Sequence, residues 1–313
     1  MTLPLLQRFL PACLVLLVLA AASLLVGVGD AGGSEILLAS RVPRTLALIL
    51  AGAGMAVAGV IMQLVAQNRF VEPSTAGTAE AATLGMLLVT LLAPDAPVAV
   101  KMLAATATAL AGTALFLRVL RAMPLRARLT VPLVGIMLGG VVGAASTLIA
   151  YRTDMLQFLG TWQAGDFSTV LRGRYELLWL AAILTLVAYA LADRITIAGL
   201  GRDAAINLGL DHRRVVAGAI AIVAMITAVT IATVGAIPFL GLVVPNLVAT
   251  VAGDNLRRSL PLVAVSGAGL LLVCDVLGRV IRYPYEIPVG TVMGVVGSAL
   301  FLVLLLRRDA RHA

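Results

Sequence analysis

Runs of roughly twenty apolar residues follow one another along this chain, parted by short loops that carry arginine. A bilayer interior offers no hydrogen-bond partner, so each run must satisfy its own backbone, and a lone segment does that as a helix. Only 12% of the 313 residues are charged, against about 25% in an ordinary soluble domain. Mean hydropathy is +1.07. A large soluble core does not explain so deep a deficit, and no polar stretch is long enough to form a soluble domain. The sequence therefore predicts an all-α polytopic membrane protein, a single domain over 1–313 with about ten transmembrane helices in one bundle.

The runs lie near 9–28, 44–66, 75–92, 98–118, 131–150, 176–192, 215–234, 239–252, 261–281 and 289–306. At about 20 residues the first exceeds the 7–15 of a signal-peptide core, so a retained span is expected. The eighth is short and contains Pro245, which suggests a half-helix or a broken one. With the N-terminus inside, fifteen of the 23 basic residues fall on the inner side: Arg8, Arg69, Arg118, Arg121, Arg126, Arg128, Arg194, Arg202, Arg213, Arg214, Arg257, Arg258, Arg307, Arg308 and Arg311. That bias puts both termini in the cytoplasm. The other eight, Arg41, Arg44, Lys101, Arg152, Arg172, Arg174, Arg279 and Arg282, are a large remainder for a translocated side.

Enzyme signatures are missing. There is no phosphate-binding G-x-x-x-x-G-K-[ST], no H-E-x-x-H and no G-x-S-x-G, and the histidines are His212 and His312 alone. Cys13 and Cys274 both sit inside apolar runs, so neither a disulfide framework nor a metal site is indicated. The +8 charge could suggest nucleic acid, but the arginines at span ends account for it.

Several segments are candidates for function. The loop near 193–214 contains Asp203 to Leu208, which can form a short helix with Ala204, Ala205 and Leu208 on one face and Gly209 as its stop. Such a helix suits docking into a partner's groove, although a plain connecting turn reads equally well. Arg41 and Arg44 place two cations at the outer mouth of the second span. Residues 63–78, QLVAQNRFVEPSTAGT, make a polar inner turn. Asp275 and Arg279, four apart, can pair on one helix face. Asp275 is the main acidic candidate within a span, and the absence of others argues against an ion-coupled secondary transporter. Glycines recur at 52, 54 and 59, at 135, 139, 140 and 143, and at 290, 294 and 297. Close helix packing explains most of them, while a minority could line a pathway or an interface.

At these stretches the chain resembles the FecCD family of permeases, the type II ABC importers that include the vitamin B12 and iron–siderophore systems. The likeness runs from about 36 to 308. It is carried by RVPRTLALILAGAGMAVAG at 41–59 with MQ at 62–63 and QN at 67–68, and by VGAIPFLGLVVPNLV at 234–248. PLVAVSGAGLLLVCDVLGR at 261–279 and YEIPVGTVMGVVGSALFLVLL at 285–305 complete it. QNRFVEPSTAGT, WQAGDFSTVLRGRYELLW at 162–179 and PNLVATVAGDNLRRSLP at 245–261 look like the branch serving catecholate siderophores. Many members have His where this chain has Asn246, a departure that points away from vitamin B12.

The resemblance implies roles. The short helix spanning Gly201, Arg202, Asp203, Ala204, Ala205, Leu208, Gly209 and Leu210 would couple to an ATPase subunit. Arg41, Arg44 and Arg282 would meet acidic residues on a siderophore-binding protein, either periplasmic or lipid-anchored. The implied partners are two ABC ATPases, a second permease (identical or paralogous), the ferric siderophore and membrane lipid, with no nucleic acid. The chain itself would bind no cofactor and no metal, ATP and Mg belonging to the ATPase. The implied activity is alternating-access import across the bacterial inner membrane. A vitamin B12 or haem permease is the alternative within the family.

Overall fold

The computed structural model describes residues 3–26, 37–122, 130–253 and 255–309. Arg126, Arg128 and Arg311, counted above on the inner side, lie outside the described residues, as do residues 27–28 of the first run and Asp254 of the 245–261 motif. The same holds for the side chains of Arg8, Arg121, Arg307 and Arg308.

Thirteen α-helices make up the described chain: α1 Leu3–Leu25, α2 Val42–Val65, α3 Thr78–Leu92, α4 Val98–Ala122, α5 Thr130–Arg152, α6 Leu156–Gln163, α7 Leu178–Ala190, α8 Ala192–Gly199, α9 Arg202–Asn207, α10 His212–Val234, α11 Leu240–Ala252, α12 Leu256–Val280 and α13 Val289–Asp309. Each of the ten apolar runs coincides with a long or apolar helix. Six of these are long and apolar enough to cross a membrane, α7 and α8 make a seventh bent by 67°, and the helices at Phe9–Leu25, Thr78–Leu92 and Leu240–Ala252 are shorter. The small helices α6 and α8 were not visible as separate elements in the sequence.

Helix α2 is the hub. A π-turn, Leu37–Arg41, leads into it and Pro43 sits in its first turn, where a missing N–H costs nothing. It packs against α7, α10, α11 and α12, and 72% of its apolar window is buried. Glycine permits two of these crossings. A Cβ on Gly52 would come within 2.7 Å of the Gly267 carbonyl oxygen and 2.8 Å of Ala268 Cα on α12. One on Gly59 would strike the backbone of Gly241 on α11. Backbones at this separation gain dispersion contacts that larger side chains would prevent.

Hydroxyls in the apolar helices are satisfied locally. Thr227 and Thr230 each donate to the carbonyl one turn back, at 2.8 Å, and Thr78 and Thr113 bridge α3 to α4 at 3.1 Å. Cys274 is fully buried with its Sγ 3.7 Å from Met293 Sδ, a packing contact.

The expectation of a half-helix near Pro245 is met by α11. Helix α10 ends at Gly235 (φ 84°), which lies against Trp162 and Gly165. Residues 235–239 are non-helical and return into the bundle, where α11 begins beside Gly59 of α2. Glu72 accepts a hydrogen bond from the backbone of Phe239 at the start of α11 and another from the Ser74 hydroxyl. The carboxylate thereby meets the positive end of the helix. Non-helical backbone at membrane depth is tolerated where protein or a cavity surrounds it.

Gly267→Val is expected to drive α2 and α12 apart and cost about 1–3 kcal/mol or more. Gly140, with nothing within 4 Å of an added Cβ, is the control. Thermal unfolding in detergent should show a lower Tm for Gly267→Val and no change for Gly140→Ala. Equal Tm values would show that the crossing is looser than its geometry.

Candidate functional site

Three regions hold the residues of interest, and chain direction fixes their relation. Helices α2, α7 and α13 start, and α1 and α12 finish, at one end of the bundle; α9 lies at the other.

At the first end α1, α2 and α12 converge on a buried charge knot. Arg44 donates from Nε (3.0 Å) and Nη2 (2.7 Å) to Asp275 Oδ1, and from Nη1 (2.7 Å) to Glu286 Oε2. Arg279, one turn after Asp275 on α12, donates to Asp275 Oδ2, to the Ser23 hydroxyl at 2.7 Å and to the carbonyls of Ser23 and Val26. Ser23 in turn meets Thr45 at 3.2 Å, and Arg41 donates to the Leu24 carbonyl at 3.0 Å. Asp275 is wholly buried and Arg279 is 5% exposed. Each charge is thus held by an opposite one and by further hydrogen bonds, the condition under which ions survive burial, while Arg279 Nε has no hydrogen-bond partner among the described residues.

This arrangement sets two of the three docking candidates inside the bundle and extends the pairing expected of Asp275. Arg41 and Arg44 are 7% and 9% exposed, so they are not free cations on an outer surface. Asp275 and Glu286 draw Arg44 inward, and the Leu24 carbonyl holds Arg41. The i,i+4 pair of Asp275 and Arg279 forms, and Arg44 joins it from another helix, a meeting that spacing along one helix could not disclose. Arg282 alone of the three docking candidates is exposed, with its guanidinium 5.9 Å from the Tyr285 ring.

At the opposite end α9 forms where the sequence placed it. Gly201 (φ 110°) precedes it and Gly209 (φ 76°) follows it. Gly209 N–H donates to Ile206 O and Leu210 N–H to Ala205 O, both at 2.9 Å, the paired closure of a glycine-stopped helix. The expected face of Ala204, Ala205 and Leu208 is split, however: Ala205 is buried against the protein while Leu208 is 60% exposed. Leu200 and Ile206 are exposed beside it, so the apolar surface offered here is Leu200, Ile206 and Leu208. Asp211 caps α10 through the Arg214 N–H, and Arg257 pairs with Asp193.

Between the ends lies a cavity of about 570 Å³. Its walls come from Ser74, Gly77 and Glu80 before and within α3, from Gly135, Gly139, Gly140 and Gly143 of α5, and from Ala236 and Pro238 of the non-helical return. The sequence exposed both halves, a polar turn at 63–78 and a glycine series at 135–143, but not that they face each other. Glu80 is also a second acid within a span, one passed over when Asp275 was read as the main intramembrane acid.

A transport-family model, described as the FecCD transport family, matches residues 10–307. The chain belongs to the FecCD transport family. Among FecCD relatives it is 44% identical over 307 residues to the petrobactin import system permease protein YclN of Bacillus subtilis, covering 95% of this chain and 97% of that one. It is 42% identical to the ferric-anguibactin transport system permease protein FatD of Vibrio anguillarum, over 87% and 86% of the two chains. Identity to the vitamin B12 import permease BtuC of Serratia proteamaculans is 35%, over 85% and 80%. The fold is also that of a solved ABC transporter described as of metal-chelate type in an inward-facing conformation, with a TM-score of 0.85, 22% identity and coverage of 96% and 99%. As a member of the FecCD family the chain is a transport component rather than an enzyme.

Asp275→Ala would leave the guanidinia of Arg44 and Arg279 buried without their shared anion, at a cost of about 3–5 kcal/mol. The expected outcome is a marked fall in Tm and in the amount of folded protein in membranes, with Asp275→Asn intermediate. Wild-type stability in Asp275→Ala would mean that water reaches the knot.

Proposed function

We propose that the chain is the permease subunit of an ABC importer that carries ferric siderophores across the cytoplasmic membrane. The observation that carries this reading is near-full-length kinship to permeases named for petrobactin and anguibactin, at identities above that to the vitamin B12 permease cited with them. Asn246 fits the same branch: its side chain donates to the carbonyls of Leu242 on α11 and Arg69 on the preceding turn, bracing the half-helix.

Both termini and α9 lie on the cytoplasmic side in this reading. The exposed Leu200, Ile206 and Leu208 then form an apolar foot at an aqueous surface, which supports docking on an ATPase. The glycines flanking α9 let it project as a compact unit. Two ATPases would hold ATP and Mg, while this chain binds no cofactor of its own. Arg282 at the opposite surface is the remaining cation for steering a periplasmic or lipid-anchored binding protein, a role that sets encounter rate more than affinity. A second permease completes the pathway.

In the mechanism, a loaded binding protein docks outside and releases its chelate into the space beside the α3–α5 cavity. ATP binding and hydrolysis move α9, and the helices bearing the cavity switch which side it opens to. The chelate undergoes no bond change. Its iron is already coordinated, so the permease has only to accommodate bulk and polarity, which small side chains do.

Leu208→Asp together with Ile206→Asp should abolish co-purification of the ATPase and reduce ferric-siderophore uptake at least tenfold, while the permease remains in the membrane. Retained ATPase binding in that double variant would remove α9 as the coupling element. Arg282→Glu should lower uptake by a few-fold at low binding-protein concentration, with the deficit closing as that concentration rises. A deficit that persists at saturation would place Arg282 in translocation rather than docking.

A further inference from the structure

Helix α2 ends in a closure that glycine normally makes. The Gln67 N–H donates to Leu64 O at 3.1 Å and the Asn68 N–H to Gln63 O at 3.0 Å, the paired bonds of a helix that stops on a left-handed residue. That residue is Gln67, at φ 48°. Gln carries a Cβ, so it holds this conformation at a cost that glycine would not incur. Helix α9 stops on the same kind of closure with Gly209 in the corresponding place. The chain thus keeps a side chain at Gln67 where the backbone alone favours glycine, and strain of that kind gathers at functional positions.

The side chain's contacts show its use. Gln67 Nε2 donates to the Gly199 carbonyl at 3.1 Å, across 132 positions. Gly199 ends α8, and a Cβ there would lie 3.4 Å from Leu64 Cβ, so the ends of α2 and α8 touch. A Cβ on Gly201, the residue before α9, would lie 3.4 Å from the same Gln67 Nε2. The turn that Gln67 begins is tied on its other side as well. Asn246 of α11 donates to Arg69 O at 2.9 Å, and the Phe70 ring meets Phe301 of α13 edge-on at 5.9 Å. The segment runs on to Glu72, which accepts from Phe239 at the start of α11, and to Ser74 and Gly77 in the wall of the α3–α5 cavity. Residues 67–77 therefore join the approach to α9 with the cavity wall.

We infer that Gln67 is a positioning residue for transport: its bond to Gly199 makes the α2–α3 turn follow α9. Movement of α9 is thereby carried to α11, to α13 and to the cavity wall. This rests on the reading of α9 as the coupling element and names the contact through which that element acts. Helix α2 itself is pinned to α12 by the backbone contact of Gly52 with Gly267, and a packed backbone contact yields little. Displacement of α9 passes into the turn at the end of α2 and not into the helix.

The test uses the assembled transporter, with its ATPases, second permease and binding protein, in proteoliposomes. A ferric catecholate chelate is the probe, and the readout is chelate moved per ATP hydrolysed. Gln67→Gly suits the backbone and removes the bond. It is expected to keep Tm at or above the wild-type value while the ratio falls about fivefold, the scale of one hydrogen bond. Gln67→Glu, of equal length but without a donor, should lower the ratio as far, with the ATPase still bound. Gln67→Lys, which restores a donor, should return it near wild type. A wild-type ratio in either Gln67→Gly or Gln67→Glu overturns the proposal. So does a fall in Gln67→Lys equal to that in Gln67→Glu, which would make packing rather than the donor the cause. Loss of the ATPase from the Gln67→Glu complex overturns it too, since Gln67 would then serve docking. Wild-type transporter that hydrolyses ATP yet moves no ferric chelate in a panel overturns the importer reading and this proposal with it.

Discussion

The bilayer interior supplies no hydrogen bonds, and every notable feature of this protein answers that deficit. Threonines return their hydroxyls to the preceding turn. The start of α11, exposed inside the bundle by the non-helical return, is met by Glu72. The charges that do enter the bundle at the Arg44 end are gathered into one knot, where Asp275 serves two guanidinia and Ser23 accepts further bonds from Arg279. Dispersing the same four charges would leave each to be desolvated alone, which is far more expensive than a compact set with its partners in place.

The knot also shows why some of the structure could be read from the sequence and some could not. Apolar runs are one-dimensional objects, so the helices under all ten runs were legible, and so was α9 with its stop at Gly209. The short span containing Pro245 was recognisable as irregular because proline and length both act locally. The i,i+4 pairing of Asp275 with Arg279 is likewise a property of one helix. The partnership of Arg44 with Asp275 spans 231 positions and leaves no local trace. Arg41 and Arg44 read as exposed cations because sequence position near a span end says nothing about what the next helix covers.

The cavity was illegible for a related reason. Its polar turn and its glycine series were each noticed, yet a glycine that packs a helix and a glycine that makes room for a carboxylate look alike until the facing element is known. Glu80 escaped notice within an apolar run. Only three-dimensional placement shows that it lines a cavity against the glycines of α5. The split face of α9 makes the same point on a small scale, since periodicity grouped Ala205 with Leu208 although one faces the protein and the other the solvent.

Where Gly52 of α2 meets Gly267 of α12, the two helices touch backbone to backbone. Side chains are the compliant layer of a helical bundle, because rotamers can readjust by a few tenths of an ångström while the backbone ladder cannot. A crossing without that layer has nothing to yield. Helices α2 and α12 must therefore respond to load as a single beam, fastened near one end by the charge knot and further along by the glycine crossing. The bundle's elasticity resides in what is built around that beam.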